Sequence, residues 1–356
     1  MSESRSRYDA TPADGGEILR ILESSAAKGS IELIYTRRPD AWLSYQREPG
    51  EARVFVSREE GCVVGTAAEL IRSVYIGGEE CRAAYLCGLK KDAEFAGSAG
   101  FGPDFIRDLQ RDDIDFYYCS VVAENRKVRD MFEKPRRIIS MTSITTYKTY
   151  ILNPKVRIKA PKHSFTFRKA TEKDAERLLD FLADEGRKKD MFPVIHRFDE
   201  YDGLRPKDFC LLLDGDSIVA AAALWDQTAY KQYVVKRYGK FMKSARIVNP
   251  LLAALRYVRL PRENVPLRFP ILSFLLCKND STDICRIFLK EIKREVAKEY
   301  GMFVIGLPKE HFAARILDTI PNIHFSTELY EIRFPWSRQA YPTLCPSKAY
   351  FECGLL

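Results

Sequence analysis

An internal duplication constrains this chain more than any other feature. "YDATPADGGEILRILE" (8–23) returns as "FRKATEKDAERLLDFLA" (167–183), with Ala10, Thr11 and Asp14 falling on Ala170, Thr171 and Asp174 at an offset of 160 residues. Ile18, Leu19 and Leu22 meet Leu178, Leu179 and Leu182 at the same offset. Each copy reads as a short strand, a Thr cap and an amphipathic helix with apolar residues at i, i+1 and i+4. The order of elements then repeats as well. A strand–turn–strand unit in 52–70, turning at Glu59-Glu60-Gly61, recurs in 208–225 with its turn at Asp214-Gly215-Asp216. A buried strand feeding a helix stands in 115–134 and again in 302–318. Agreement in order as well as in residues favours duplication over chance, and 356 residues suit two domains. The expected units are 1–153, a linker 154–164, and 165–356 with a basic insert at 235–268 and a C-terminal tail. The stretch "NPKVRIKAPKHS" (153–164), with two prolines and no acids, has linker composition.

Composition narrows the class. Hydrophobic residues at 46% and charged residues at 30% describe an ordinary globular chain without a disorder signature. No apolar run approaches the ~18 residues of a membrane span, and the polar start "MSESRSRYDATPADGG" lacks a signal-peptide core. The nine cysteines include no C-x-x-C pair, and the four histidines stand apart from them. Neither a zinc site nor a disulfide frame follows, and reduced cysteines in a cytoplasmic protein are expected. The net charge of +8 is uneven: residues 1–150 hold 22 Lys/Arg against 24 Asp/Glu, the remainder 35 against 25. The positive field belongs to the second half.

The first half carries a glycine loop, "EFAGSAGFGPDFIRDL" (94–109). Gly97, Gly100 and Gly102 allow a sharp turn and close approach to a ligand, and Pro103 suits the first position of a helix. Free N–H groups and the positive helix end would then face an anion. An ordinary glycine turn before a helix is the plain alternative. The first half as a whole reads strand, helix, helix, three strands, loop, helix, strand, helix, strand. Its hairpin turns at Gly77-Gly78, its second helix is "PDAWLSYQRE" (39–48), and its last strand is "IISMTSITTYKTYIL" (138–152).

These residues resemble the GNAT acyltransferase superfamily. Gly100-Phe101-Gly102 matches the end of that family's loop motif, R/Q-x-x-G-x-G/A, after the fourth strand. Asn125 through Lys134, "NRKVRDMFEK", is similar to its Asn…aromatic-Glu-Lys helix. The likeness covers nearly all of 6–152 and, more faintly, 165–334. It implies an α/β (α+β) fold of two tandem GNAT-like domains, each a mixed central sheet flanked by helices with splayed fourth and fifth strands. It also implies an acyl-CoA, most simply acetyl-CoA, with no metal. The pantetheine arm would pair with the fourth strand at Cys87, Gly88 and Leu89 as if it were a further strand. The diphosphate would sit in the loop Gly97, Ser98, Ala99, Gly100, Phe101, Gly102, with Asn125 and Phe132 also at the cofactor.

Two positions depart from the family. Its loop Arg or Gln is Gly97 here, and its proton-donating tyrosine is Phe132, which has no proton to give. Tyr117, Tyr118 or Cys119 on the fifth strand, or water, are the alternative acids. Glu69 and Glu94 are the base candidates, with a solvated side chain the plain reading of Glu69. In the second half "LLCKNDSTDICRIFLKEI" (275–292) has no glycine, and Asn279, Ser281 or Thr282 reads as a helix cap; His311 falls opposite Asn125. The insert 235–268 holds nine Lys/Arg and one acid, Glu263. It reads as an amphipathic helical insert or as a surface for nucleic acid. The tail 334–356, with three prolines and five aromatics, is expected in a groove between the copies.

Three functions result: an acyl-CoA-dependent N-acyltransferase acting on an unidentified amine, a non-catalytic acyl-CoA-binding or sensor protein, and an aminoacyl-tRNA-dependent transferase. The last lacks its helical-hairpin arm here.

Overall fold

A computed structural model describes residues 8–24, 31–92, 101, 103–133, 139–239, 261–336 and 342–356. The strands in chain order are β1 (Ile31–Thr36), β2 (Glu51–Glu59), β3 (Cys62–Ile76), β4 (Glu79–Lys91), β5 (Phe116–Val122), β6 (Ser140–Leu152) and β7 (Thr166–Lys169). They continue with β8 (Phe192–Pro193), β9 (Phe209–Asp214), β10 (Ser217–Trp225), β11 (Gln232–Tyr238), β12 (Ile271–Cys277), β13 (Phe303–Pro308) and β14 (Ile323–Arg333). The helices are α1 (Gly15–Glu23), α2 (Ala41–Tyr45), α3 (Pro103–Leu109), α4 (Arg126–Phe132), α5 (Ala175–Gly186), α6 (Thr282–Val296) and α7 (Ala314–Leu317).

The repeated caps form as their residues require. Asp14 accepts from the Thr11 N–H at 2.8 Å and hydroxyl at 3.0 Å, and Asp174 repeats both bonds to Thr171 at 2.8 Å. Each aspartate satisfies a donor at the start of its helix and also holds an arginine at 2.7 Å, Arg58 in one copy and Arg168 in the other. The amphipathic helices α1 and α5 then bury Ile18, Ile21 and Leu22, and Leu178 and Leu182.

Strand pairing joins the halves into one sheet, ordered β2-β3-β4-β5-β14-β6-β13-β12-β10-β9-β7. Residues 8–10 extend the β2 edge through Ala10 N–H to Val54 and Val56 N–H to Tyr8, as β7 extends β9. The order is a palindrome about β14 and β6. Each half has given its last strand to the other: β14 pairs with β5, and β6 with β13, all antiparallel. Leu329, Tyr330 and Ile332 of β14 are at most 2% exposed in that position, so the exchange is part of the core. The sequence order of elements agrees with the expected sheets, but the exchange was not legible in it.

Apolar clusters cover both faces. On the first half, α1 and α2 lie over Val54, Leu70, Tyr85 and Tyr118, while Phe105 of α3 and Val128 and Phe132 of α4 lie over Phe55, Tyr117 and Cys119 on the other side. The expected linker is anchored, with Val156 and Ile158 buried in the second half's core. β1 was not expected; it pairs with β11, about two hundred residues on, as a separate two-stranded ribbon. The insert therefore opens as strand, while its apolar stretch "NPLLAALRYV" lies outside the described residues. All nine cysteines are free. Among the described residues no helix is long and apolar enough to cross a membrane, and no three His, Cys, Asp or Glu side chains gather as a metal group.

Candidate functional site

β4 and β5 run parallel and pair only from Ala83–Phe116 to Leu86–Cys119. Beyond that point β4 continues to Lys91 and β5 to Val122 without pairing to each other. The cause of the divergence is local. β4 slips register against β3 between Cys87 and Lys90, a bulge that bends the strand. Gly88 carries it at φ +62°, a left-handed conformation that favours glycine. A Cβ at this position would stand 2.4 Å from the Tyr45 hydroxyl oxygen. The sequence-predicted residues Cys87, Gly88 and Leu89 are thus at the mouth of the gap; Leu89 is 66% exposed. Burial pushes the Cys87 thiol up to about 11, so it is neutral at pH 7.

The glycine loop itself, with Gly97, Ser98, Ala99, Gly100 and Gly102, and the base candidate Glu94, lie outside the described residues. Their flanks are held in place. Asp92 donates its N–H to Val64 at 2.8 Å and pairs with Arg20, and the Phe101 ring lies 4.2 Å from Phe105 at the start of α3. Asn125 caps α4, accepting from the Val128 N–H at 3.4 Å. Phe132 meets the ring of Tyr330 edge-on at 5.7 Å, so a phenol from the exchanged strand stands beside the position without one.

The sheet separates the catalytic candidates. Tyr118 faces the α1–α2 side, stacked on Tyr85 at 5.0 Å and 5.5 Å from Phe351 of the tail. Desolvation raises its pKa, keeping the phenol protonated. Glu69 and Cys119 belong to the α3–α4 side. Glu69 is fully buried and holds Arg53 at 2.7 Å, while Arg53 in turn reaches the Asp108 carbonyl of α3. Burial raises the Glu69 carboxyl to about 7. Its solvated reading does not hold, since nothing of the side chain meets water. Cys119 is also buried, its thiol pushed up to about 12. Tyr117 is spent on structure, accepting from the Arg111 N–H at 2.7 Å and donating to the Leu109 carbonyl.

Sequence reading missed a charged group on the Tyr118 side. Arg37, Glu48, Arg72 and Lys231 come together there from both halves, none more than 6% exposed. Glu48 accepts from Arg37 at 2.7 Å and from Lys231 at 2.9 Å. No motif marks these residues. The available signal was Arg72 itself, a charge at a core-facing position of the apolar run "ELIRSVYI" (69–76).

The second half repeats the divergence and fills it. β12 and β13 pair only at Ile271–Val304, and β12 bulges at Phe274, φ +56°. Residues 353–355 of the tail pack against both strands. The buried Glu352 carboxylate accepts from the Phe274 N–H at 2.6 Å, the Tyr350 hydroxyl at 2.9 Å and the Gly354 N–H at 3.0 Å. In the place of the glycine loop stand Asn279 and Asp280, both at positive φ, with Asp280 held by the buried Lys189. Ser281, one of the expected caps, accepts from the Ile284 N–H at the start of α6. His311 is buried, its Nδ1 accepting from the Ala313 N–H at 3.2 Å. Burial lowers its pKa to about 3, which leaves it an uncharged structural group.

No protein-family model and no curated protein sequence matches the chain. Solved structures do. N-myristoyltransferase of Saccharomyces cerevisiae, with bound myristoyl-CoA, aligns at a TM-score of 0.55 over 94% of this chain and 86% of its own, at 7% identity. A GCN5-related N-acetyltransferase from Anabaena variabilis ATCC 29413 aligns at 0.53 over 92% and 72%, at 11% identity. Identities this low speak for architecture. With the mixed sheet, the bulged fourth strand and the parallel fifth strand that leaves it, they establish that this chain has the GNAT fold.

Proposed function

We propose that the chain transfers an acyl group from an acyl-CoA, with acetyl-CoA as the donor, to an amine. The copies 1–153 and 165–356, joined by exchanged strands, divide the work: the first binds the donor and the second shapes the acceptor side. One observation carries this reading, the divergence of β4 from β5 beyond Leu86 with its glycine bulge. A pantetheine arm there would take up the hydrogen bonds that β5 leaves unmade. The loop 97–102 would hold the diphosphate through backbone N–H groups.

In the reaction the amine nitrogen, after losing a proton to a base, attacks the thioester carbonyl carbon. A tetrahedral oxyanion forms, held by a β4 backbone N–H. The C–S bond then breaks, leaving the amide, and the CoA thiolate takes a proton. Tyr118 is assigned that proton transfer, because its phenol is protonated and lies on the face that both halves share. Glu69 and Cys119, across the sheet from Tyr118, are assigned to the donor side.

Incubation with acetyl-CoA and a panel of amines, following free thiol, tests the reading. Amine-dependent thiol release is expected, and Tyr118→Phe should lower kcat by about a hundredfold with the KM for acetyl-CoA unchanged. The apolar Phe132 in the family's tyrosine position favours a second reading, an acyl-CoA-binding protein without turnover. Heat of acetyl-CoA binding without thiol release from any amine would select it.

A further inference from the structure

The pairing of β4 with β5 ends at Leu86–Cys119, and one side chain spans the two strands just there. The Tyr85 hydroxyl is hydrogen-bonded to the Ser120 hydroxyl at 2.5 Å. Ser120 is the first residue of β5 beyond the last pair. The tyrosine therefore reaches from the paired part of β4 across to the strand that is leaving it. Burial changes at this crossbar. Cys87 and Ser120, on the gap side, are half-buried, whereas Tyr85 and Tyr118 are at most 5% exposed. Behind the crossbar the space is filled by rings. Tyr118 stacks on Tyr85 at 5.0 Å and has Phe351 at 5.5 Å and Phe116 at 6.4 Å.

The opposite face of the sheet offers an alkyl chain no better course. Glu69 of β3 is paired with Leu86 in register, so the two side chains share that face. The buried Glu69 carboxyl holds Arg53 at 2.7 Å through one oxygen, and its Oε1 has no hydrogen-bond partner among the described residues. Methylene groups laid against it would leave that oxygen shut from water and still unmet.

We propose that the Tyr85–Ser120 crossbar is the floor of the donor site and restricts the acyl group to chains as short as acetyl and propionyl. With its phosphates at the loop 97–102, beyond Lys91, and its arm along β4, the donor points its acyl end back toward Leu86 and so onto Tyr85. A longer chain meets the tyrosine ring on one face and the Glu69 carboxyl on the other. This inference rests on the acyltransferase reading and deepens it by naming the residue that sets the length of the transferred group.

The test measures calorimetric affinity and amine-dependent thiol release for acetyl-, propionyl-, butyryl- and hexanoyl-CoA with the intact chain. A site with apolar depth gains about fourfold in affinity for each methylene it buries. No such gain is expected here. Affinity should be level from acetyl- to propionyl-CoA and at least about tenfold weaker for hexanoyl-CoA, with kcat/KM lower by about a hundredfold. Tyr85→Ala removes the crossbar and should raise the ratio of hexanoyl-CoA to acetyl-CoA affinity by at least about tenfold. Hexanoyl-CoA bound as tightly as acetyl-CoA by the wild-type chain, or a folded Tyr85→Ala protein that keeps the wild-type ratio, would overturn the proposal and leave the acyltransferase reading intact. Absence of binding for every acyl-CoA of the series would overturn the two together. The wild-type series decides the matter even if Tyr85→Ala fails to fold.

Discussion

The two places where the sheet divides, β4 from β5 and β12 from β13, share one design and differ in what occupies them. Both begin at a bulge with a residue at positive φ, Gly88 in one half and Phe274 in the other. Glycine adopts that backbone without strain, and the Tyr45 hydroxyl stands where its Cβ would be. Phenylalanine does not, and the second half offsets its strain with a carboxylate on the Phe274 N–H and with the rings of Tyr201, Phe209 and Trp225 around it. The first gap is proposed to receive a ligand as its missing strand. The second is closed by the chain's own residues 350–355. The two gaps have the same outline, and among the described residues it is the second that the chain's own tail fills.

The comparison breaks most readily at its glycine. Gly88→Val places a β-branched side chain at positive φ, with its Cβ 2.4 Å from the Tyr45 hydroxyl oxygen. Acetyl-CoA affinity should fall by at least about a hundredfold, or ~3 kcal/mol, measured by calorimetry beside a thermal melt that reports the fold. In the second gap, Glu352→Ala strands the Phe274 and Gly354 N–H groups and the Tyr350 hydroxyl. It should cost about 2 kcal/mol of stability in urea and leave acetyl-CoA affinity unchanged. An equal effect of both variants on acetyl-CoA would erase the distinction between the gaps.

A pH titration sharpens it further. His311 packs 6.0 Å from Tyr350 of the tail, and burial holds its pKa at about 3 against 6.5 when unperturbed. Between those values the unfolded chain binds the extra proton. The contribution of His311 is therefore whole above pH 6.5 and is lost as pH falls toward 3. His311→Phe should flatten the stability profile in that window, read from denaturant midpoints at successive pH values. The smallest effect belongs to Leu89→Ser: with the side chain 66% exposed, stability should move by less than about 0.5 kcal/mol.

Much of the architecture was legible because it rests on local chemistry. The Thr–Asp caps, the hairpin turns at Gly61, Gly77-Gly78 and Gly215, and the helix opened by Asn125 all stand where their residues placed them. What escaped depends on distant partners. β1 exists because Leu33 and Tyr35 meet Val235 and Tyr233, and the exchange of β6 and β14 sets each beside the fifth strand of the other half. At the candidate site, the bulge was signalled by a glycine within an apolar strand. In the cluster of Arg37, Glu48, Arg72 and Lys231 only Arg72 carried a signal, a charge inside an apolar strand; its partners are scattered along the chain and each alone reads as an ordinary surface charge. At Glu69 the sequence misleads: alternation favours a solvated side chain, and only the fold shows it fully buried with Arg53 beside it.

The central claim is that one gap is open to a nucleotide thioester and its twin is shut. Calorimetric titration of acetyl-CoA into the intact chain tests it most directly. The account predicts saturation at one molecule per chain, abolished by Gly88→Val and untouched by Glu352→Ala. Saturation at two per chain, or no heat of binding at all, would contradict it.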